Sequence, residues 1–380
     1  MAQINPTVGD LRGNSNLIIE SMAKAVQAKA GLVVFPEMAI TGYPPLDLLP
    51  PREMRPPAGT RRPGDEEVVR ANKEMVSEIA AGLHGATAIV GFVDYDATNL
   101  YNAAAVLSDG KIVSVIYKTL LPTYDVFDEL RYFTPATSNH PVTVKAHGNA
   151  VTLGSMICED MWDEELGYGL NVVDSLAMKD ARLIVSLNAS PFHDRIRDVR
   201  LRILRTKARR LHVPICYVNM VGGQDELVFD GQSLAVDGEG RLIAIGKQFD
   251  EDLVIVDVAS SEERLPQVPE PRYDRSEEMF NALVLGVRDY FRKTGFGRAL
   301  IGLSGGIDSS LVAVIATTAL GKENVTGVSM PSRYSSDHSK DDAAELARNL
   351  GIGYLTITIE PIFQAYEQQL KPHFQGRPPI

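Results

Sequence analysis

Apolar runs of strand length in this 380-residue chain stop just before residues with reactive or charged side chains. Glu37 follows the run 31–35 after a single proline, whereas Lys118 and Cys158 come directly after their runs. Strand ends that share one edge of a sheet bring such side chains together, and a buried strand holds them on a stiff scaffold. The pattern predicts a layered α+β domain in which a carboxylate, an ammonium group and a thiol meet in one pocket.

These three side chains are the parts needed for acyl transfer from an amide. The carboxylate can take the proton of the thiol, the thiolate can attack the carbonyl carbon, and the cation can hold the oxyanion that develops. Each residue also has a simpler interpretation. Glu37 and Lys118 are of types that usually lie solvated on the surface, and Cys158 is of a type that packs as a small buried hydrophobe.

The composition argues against several classes of protein. A formal charge of −11 and a pI near 5.2 provide no net basic field for non-specific nucleic-acid binding. Two cysteines fit a reducing compartment better than a disulfide framework. The amino terminus lacks the pattern of a signal peptide, and no apolar run reaches the roughly 18 residues of a membrane span. We expect a cytoplasmic protein without nucleic-acid or membrane partners, with Cys216 packed in the core.

The first domain, 1–260, alternates strands and helices with hairpins, which indicates helices layered over mixed sheets. We expect a first helix capped by Asn14 or Ser15. The proline- and glycine-rich segment 41–65 is predicted to be a long loop, and 252–258 a final strand.

A strongly basic helix is predicted at about 195–211. Its charges suggest a possible nucleic-acid face, but the acidic charge of the whole chain and the helical spacing favour a solvated or interdomain helix.

The segment 261–275 is polar, charged and proline-bearing, and its composition is typical of a linker. Beyond it, residues 276–380 contain about three β–α repeats, the beginning of a doubly wound parallel sheet. The sequence SGGIDSS, 304–310, falls between a predicted strand and a predicted helix. Its glycines let a phosphate approach the backbone, and the helix that follows supplies a positive pole.

This glycine loop lacks the lysine of a Walker A motif. A loop of this kind suits the pyrophosphate that leaves when ATP adenylates a carboxylate, rather than the transfer of a terminal phosphoryl group. The alternative is an ordinary glycine-rich turn between a strand and a helix.

Four stretches of the first domain carry a family resemblance: QINPTVGD, FPEMAITGYPPLDLL, Lys118 with the following LPTYDVFDELRYF, and ICEDMW. They resemble the nitrilase-type glutaminase domain of glutamine-dependent NAD synthetases, and the likeness continues over essentially the whole chain. It implies Glu37 as general base and Lys118 as oxyanion stabiliser. It also implies Cys158 as the nucleophile that forms a glutamyl thioester, and Glu129 as a carboxylate that positions the lysine.

The same resemblance implies residues that contact glutamine. Tyr124 and Ser190 align with such positions, and the backbone N–H of Glu159 is implied as a second oxyanion donor. After the sequence SPF the family usually has Gly-Lys or Gly-Arg, whereas this chain has Arg195 followed by isoleucine. The basic residue that contacts glutamine is therefore Arg195 or Arg197.

In the second half, SGGxDS resembles the pyrophosphate-binding loop of N-type ATP pyrophosphatases. The sequence MPSRYSSDHSKDDAAELARNLGI resembles the segment that follows this loop in NAD synthetases. The likeness implies Asp308 as a magnesium ligand. The implied ATP-binding residues are Gly302, Leu303, Ser304, Gly305, Gly306, Ile307, Asp308, Ser309 and Ser310.

The resemblance as a whole implies a nitrilase-like αββα sandwich, followed by the start of an ATP pyrophosphatase domain, 276–380, that is truncated at its carboxyl end. The implied activity is glutamine hydrolysis that supplies ammonia for ATP-dependent amidation of deamido-NAD to NAD, AMP and pyrophosphate. ATP and Mg²⁺ are the implied cofactors, with no tightly bound organic cofactor, and a homo-oligomer is the implied assembly.

Two alternatives remain open from the sequence. One is a stand-alone nitrilase-type amidase with a non-functional synthetase remnant, because 276–380 provide only about three β–α units. The other is a non-catalytic module that binds ATP.

Overall fold

The structure is a computed structural model, and it describes residues 1–54, 66–258, 267–270, 272 and 274–374. By its internal contacts the chain divides into two compact units, 1–275 and 276–380. Part of the predicted linker, 261–266 with 271 and 273, lies outside the described residues, as does 55–65 of the predicted long loop. The described part of that loop contains short 3₁₀ helices at Leu46–Leu48 and Arg52–Met54.

The first unit contains a four-stranded sheet in the order β2-β3-β4-β5. Strands β2 and β3 are parallel, and the other neighbours are antiparallel. Helices α1 and α2 cover one face, with Ile18 and Val76 packed against Val33 and Val90. The elements are α1 Leu11–Gln27, β2 Leu32–Val34, α2 Glu67–Gly82, β3 Thr87–Tyr95, β4 Leu100–Ser108 and β5 Lys111–Tyr117.

A six-stranded sheet in the order β13-β12-β9-β8-β7-β6 forms the second layer of strands. Its central strands β7, β8 and β9 are parallel, and helices α3 and α4 pack on its outer face. The elements are β6 Val142–Ala146, β7 Asn149–Ile157, α3 Val172–Met178, β8 Leu183–Asn188, α4 Ile196–Leu211, β9 Ile215–Asn219, β12 Leu234–Val236 and β13 Leu242–Ile245.

The inner faces of the two sheets form a shared core. Alternation along the strands sends Val34 and Ile89 inward from the first sheet, while Val33 and Val90 point outward to the helices. From the second sheet, Ile157 and Val185 complete the inner layer. The predicted layering of helix, sheet, sheet and helix is confirmed.

Short pairings complete the first unit. Strand β1, Ala2–Gln3, pairs with β14, Asp252–Leu253, and β10, Val221–Gln224, pairs with β11, Leu227–Asp230. The predicted strand 252–258 was too long, because only its first two residues enter a ladder.

The predicted cap of the first helix was also wrong. Asp10 is the N-cap and accepts a hydrogen bond from the Gly13 N–H, while Asn14 and Ser15 are buried inside the helix. The side-chain amide of Asn14 instead donates hydrogen bonds to the backbone carbonyl oxygens of Thr7 and Ile40.

The second unit begins a parallel sheet in the order β15-β16-β17. Alanines of α6 and α7 pack against Ile301 and Val325 of the sheet. One further helix, α8, was not predicted. The elements are α5 Arg275–Thr294, β15 Ala299–Gly302, α6 Ile307–Leu320, β16 Val325–Ser329, α7 Asp337–Leu350, β17 Gly353–Thr356 and α8 Glu360–Leu370.

Gly91 on β3 allows the chain around Glu37 to lie against the sheet. A Cβ at this position would sit 2.5 Å from the backbone nitrogen of Met38 and 2.8 Å from the carbonyl carbon of Glu37. We expect Gly91→Ala to displace this backbone and to lower the free energy of unfolding by about 1–3 kcal/mol, as overpacking does. Chemical denaturation measures the change.

Gly82, at the exposed end of α2, is the matched control. A Cβ there meets no heavy atom within 4 Å, so Gly82→Ala should leave the unfolding free energy unchanged or raise it slightly. An equal loss in both variants would contradict the assignment of a steric role to Gly91.

Candidate active site

A single buried ammonium group lies between two buried carboxylates. The Nζ of Lys118 is 2.7 Å from Oε1 of Glu37 and 2.7 Å from Oε1 of Glu129. All three side chains are at least 95% removed from solvent. A buried charge of this kind persists only when it is paired and hydrogen-bonded, so the simpler interpretation of solvated surface charges is excluded.

The direction of the strands explains why these residues meet. Strand β2 runs parallel to β3, and β5 runs the same way because two antiparallel pairings separate it from β3. The carboxyl ends of β2 and β5 therefore share an edge, and Glu37 and Lys118 follow those ends. Glu129 enters from the 3₁₀ helix Glu129–Arg131 and is fixed by the Tyr43 hydroxyl, which donates to it over 2.9 Å.

Cys158 directly follows the last residue of β7 and has a strained backbone conformation. Its φ is +44°, in the left-handed region, and it begins the 3₁₀ helix Cys158–Met161. A non-glycine residue in this region marks a position that the surrounding structure enforces. The thiol is buried and sits within the field of Glu37 and Lys118.

Burial raises the pKa of the Cys158 thiol well above its usual value, and the charge of Glu37 raises it further, while Lys118 opposes the shift. The sulfur is therefore protonated at rest. A thiol in this state needs a base before it can act as a nucleophile, because the thiolate is the reactive form. The buried carboxylate of Glu37 lies within its electrostatic reach.

Charge balance keeps Lys118 ionised. Burial by itself lowers the pKa of the ammonium group, but the charges of Glu129 and Glu37 more than offset it, so its pKa lies well above the usual value. Burial raises the pKa of Glu129, and Lys118 opposes that shift. The lysine is thus a permanent cation in the pocket, suited to hold an oxyanion.

Asn102, on β4, joins this cluster, and the sequence analysis missed it. Its Nδ2 donates to Oε1 of Glu37 over 2.6 Å and to Oε2 of Glu129 over 3.3 Å. The backbone carbonyl oxygen of Asn102 accepts the backbone N–H of Lys118 over 2.9 Å. One residue therefore contacts all three members of the charged cluster. A buried asparagine inside an otherwise apolar strand was the signal available in the sequence.

The second oxygen of Glu37 reaches the other sheet. It accepts the backbone N–H of Ala189, just past the end of β8, over 3.0 Å. The next residue, Ser190, is buried and accepts hydrogen bonds from Arg200 at both its carbonyl oxygen and its hydroxyl. The segment after β8 is thereby fixed beside the cluster.

The prediction of a solvated or interdomain basic helix was wrong for part of α4. Arg200 is fully buried and pairs with both oxygens of Asp230 over 2.8 and 2.9 Å. Lys207 is buried in an ion pair with Asp163, in the segment that follows Cys158. The buried charges of this helix therefore hold two segments beside the site, 189–191 and 162–168, rather than a nucleic-acid face.

Tyr124 and Glu159 lie together. The carboxylate of Glu159 accepts the Tyr124 hydroxyl over 3.1 Å and the Tyr168 hydroxyl over 2.8 Å. Arg195 lies exposed at the N-cap of α4 with a φ of +62°, whereas Arg197 is buried, 3.3 Å from Asp198.

Cys216 is a core residue, as predicted. It lies on β9 in the inner core between the sheets, and burial raises the pKa of its thiol to about 11.

In the second unit, the glycine loop connects β15 to α6 as predicted. Gly306 caps α6, and the hydroxyls of Ser309 and Ser310 donate to its carbonyl oxygen over 3.0 and 2.9 Å. Gly305 has a φ of +81°, and a Cβ there would lie 2.7 Å from the Cα of Ser339. Only glycine fits this position. Asp308 lies in the first turn of α6.

Sequence profiles of known families match both units. The carbon-nitrogen hydrolase family matches residues 1–266, and the NAD synthase family matches residues 279–376. The chain is therefore a carbon-nitrogen hydrolase domain joined to an NAD synthase domain.

Curated relatives define the family more closely. Glutamine-dependent NAD(+) synthetases from Thermotoga maritima and Synechocystis sp. are each 41% identical to this chain over its whole length, and it covers 68% and 67% of theirs. The chain belongs to the glutamine-dependent NAD(+) synthetase family. It spans about two thirds of the length of the relatives it matches. The predicted family is confirmed, and a glutamine-dependent NAD(+) synthetase is favoured over the alternative of a stand-alone amidase.

Solved structures agree. The glutamine-dependent NAD+ synthetase from Acinetobacter baumannii, in complex with ADP, superposes with a TM-score of 0.84 at 32% identity, covering all of this chain and 68% of that one. An amidase from Nesterenkonia sp. AN1 shares the fold of the first unit, with a TM-score of 0.54 at 20% identity over 69% of this chain and 92% of its own.

Among the described residues, no helix combines the length and apolar character that a membrane crossing requires. The same residues contain no cluster of three or more histidine, cysteine, aspartate or glutamate side chains arranged to hold a metal ion.

Replacing Asn102 tests its place in the cluster. Asn102→Asp puts a third carboxylate beside Glu37 and Glu129, with one cation for the three, and removes the amide donor. We expect ammonia release from glutamine to fall by about 100-fold or more, because the base and the cation would no longer hold their positions. Steady-state assays of glutamate and ammonia measure it.

Asn72→Asp is the matched control. Asn72 is equally buried and accepts the Val93 N–H through Oδ1, which the aspartate retains. Compared at equal folded fraction, this variant should keep most of its activity. Equal losses of activity in the two variants would contradict a specific role of Asn102 in the charged cluster and would indicate a general effect on stability.

Proposed function

We propose that this chain hydrolyses glutamine in its first unit and uses the ammonia to amidate deamido-NAD in an ATP-dependent reaction that yields NAD, AMP and pyrophosphate. The observation that carries the first half is the buried set of Glu37, Lys118 and Glu129 beside the protonated thiol of Cys158. Family membership and the glycine loop before α6 support the second half.

In the glutaminase step, Glu37 takes the thiol proton as the sulfur of Cys158 attacks the side-chain amide carbon. The carbonyl oxygen becomes an oxyanion beside the ammonium group of Lys118, and the backbone N–H of Glu159 is the second donor in this proposal. Glu37 then returns the proton to the leaving nitrogen, which departs as ammonia and leaves a glutamyl thioester. Water, activated by Glu37, releases glutamate and restores the thiol.

Glu129 and Asn102 do not react in this scheme. Glu129 accepts a hydrogen bond from the Lys118 ammonium group. Asn102 donates to both carboxylates, and its backbone carbonyl oxygen accepts the Lys118 N–H. Together the two residues hold Lys118 and Glu37 in place. We assign glutamine binding to Tyr124, Glu159, Ser190 and a basic residue at 195 or 197. The first three are supported by their position next to the cluster. The Tyr124 hydroxyl donates a hydrogen bond to Glu159, and Ser190 follows Ala189, whose N–H donates to Glu37.

In the second unit, we assign ATP phosphate binding to 302–310. Gly306 is the N-cap of α6, and the amino terminus of this helix favours an anion. A relative from Acinetobacter baumannii is in complex with ADP. Magnesium fits as an ion carried by ATP: Asp308 would supply one carboxylate oxygen, and phosphate oxygens the others. Bound there, the ion neutralises phosphate charge.

We further propose a cytoplasmic homo-oligomer. Both cysteines are free thiols, as expected of a reducing compartment.

The test follows glutamate, AMP and NAD separately in one mixture of glutamine, ATP, magnesium and deamido-NAD. Cys158→Ala should abolish glutamate formation, because no thioester can form, while added ammonia still supports NAD formation. Asp308→Ala should abolish AMP and NAD but leave glutamate formation. Cys216→Ala, the matched control in the core, should retain both activities.

Glutamate without AMP or NAD in the unmodified chain would support the amidase alternative. Absence of glutamate under every condition would contradict the proposal. NAD formation from glutamine by Cys158→Ala would contradict the thioester route.

A further inference from the structure

A buried carboxylate near the cluster has no part in the chemistry described above. Asp160, in the 3₁₀ helix that begins with Cys158, is 0% exposed. Its Oδ1 accepts the backbone N–H groups of Thr119 and Leu120 over 3.0 and 2.8 Å. Its Oδ2 accepts the backbone N–H of Ile157 over 3.1 Å. Three donors thus converge on one side chain.

The positions of these donors give the carboxylate its significance. Thr119 and Leu120 directly follow Lys118, and Ile157 directly precedes Cys158. Lys118 directly follows β5 of the four-stranded sheet, and Cys158 directly follows β7 of the six-stranded sheet. Among the described strand pairings, no ladder joins these two sheets. Asp160 therefore links, by hydrogen bonds to backbone, the two strand ends that carry the cation and the nucleophile.

We propose that Asp160 is a positioning residue for the reaction: it sets the position of the Lys118 ammonium group relative to the Cys158 sulfur by tying both strand ends to one carboxylate. The inference rests on the proposed glutaminase function. An error of about 1 Å in such a placement is enough to cost on the order of 100-fold in rate.

The chemical state of the carboxylate matters for this link. An ionised carboxylate only accepts hydrogen bonds, whereas a protonated one carries an O–H on one oxygen. All three partners of Asp160 are donors, so protonation weakens at least one of the three bonds. Burial raises the pKa of Asp160 to about 7, against the opposing effect of the N–H donors and of Lys118. The link is therefore complete above about pH 7 and loosens as the pH falls below it.

The charged surroundings of Asp160 are few. Lys118 faces it from the segment after β5, and Cys158 and Glu159 share its own helix. Helix α3 contributes Asp174, which is paired with Arg210. The end of β7 and strand β8 bring no titratable side chain.

Asp160→Asn imitates the protonated state at every pH, since its amide replaces one acceptor oxygen by a donor. We expect kcat for glutamine hydrolysis to fall by about 10- to 100-fold, with KM changed less than about 3-fold. The ratio of wild-type to variant kcat should be largest above pH 8 and should shrink as the pH falls through 7 to 6. A purely structural role would give a ratio that does not follow pH in this way.

Asp237→Asn is the matched control. Asp237 is buried and accepts the backbone N–H groups of Glu239 and Arg241 over 3.0 and 2.9 Å, at the turn between β12 and β13. Its variant should keep kcat within about 2-fold of wild type at every pH, since the turn adjoins none of the reacting groups.

A second measurement needs no variant. The amide proton chemical shifts of Thr119, Leu120 and Ile157 in the wild-type chain should move upfield together as the pH falls from 8 to 6, because their common acceptor is protonated near pH 7. This measurement also covers the case in which Asp160→Asn fails to fold. Absence of a shared titration of these shifts would overturn the inference, as would wild-type kcat in the folded variant or a pH-independent loss shared with Asp237→Asn.

The failure of the proposed function looks different. In that case the wild-type chain releases no glutamate at any pH, whereas failure of this inference leaves wild-type glutamate release intact and the variant equally active.

Discussion

The first unit depends on one buried ammonium group. Lys118 faces two carboxylates at 2.7 Å each, and the cation and its partners are at least 95% removed from solvent. Removing one member of such a buried group costs roughly 3–5 kcal/mol, because it leaves a charge without compensation. The surrounding strands must therefore present all of these charges at one point, which constrains the ends of β2 and β5 and the segment that carries Glu129.

Burial and the same charges explain the resting state of the Cys158 thiol. Burial is the largest cause of its raised pKa, the charge of Glu37 raises the pKa further, and Lys118 opposes the shift. A thiol that stays protonated until a base removes the proton is poorly reactive toward adventitious electrophiles. In the proposed mechanism, the thiol becomes reactive only when an amide carbonyl occupies the pocket and the proton moves to Glu37.

The proposed reacting residues could be selected from the sequence because their signal is local. An apolar run of strand length that stops before a charged or reactive residue shows where a strand ends, and Glu37, Lys118 and Cys158 all follow such ends. Asn102 and Asp160 could not be assigned roles in this way, since their meaning comes from partners on other strands. The prediction of a solvated α4 failed for the same reason. In the sequence, Arg200 and Lys207 look solvated, because their partners Asp230 and Asp163 lie 30 and 44 positions away.

The proposed reacting residues come from two sheets, so their relative position depends on contacts between the sheets. Backbone hydrogen bonds fix positions within each sheet, whereas the hydrophobic contacts between the sheets are non-directional. Glu37 crosses this gap to the N–H of Ala189, and Asp160 crosses it to the N–H groups of Thr119 and Leu120. Both links run from a carboxylate to backbone, a bond that is short and directional. In the proposed scheme, the acidic side chains beside the reacting groups therefore have two different roles: Glu37 takes the proton and also links the sheets, whereas Asp160 only links them.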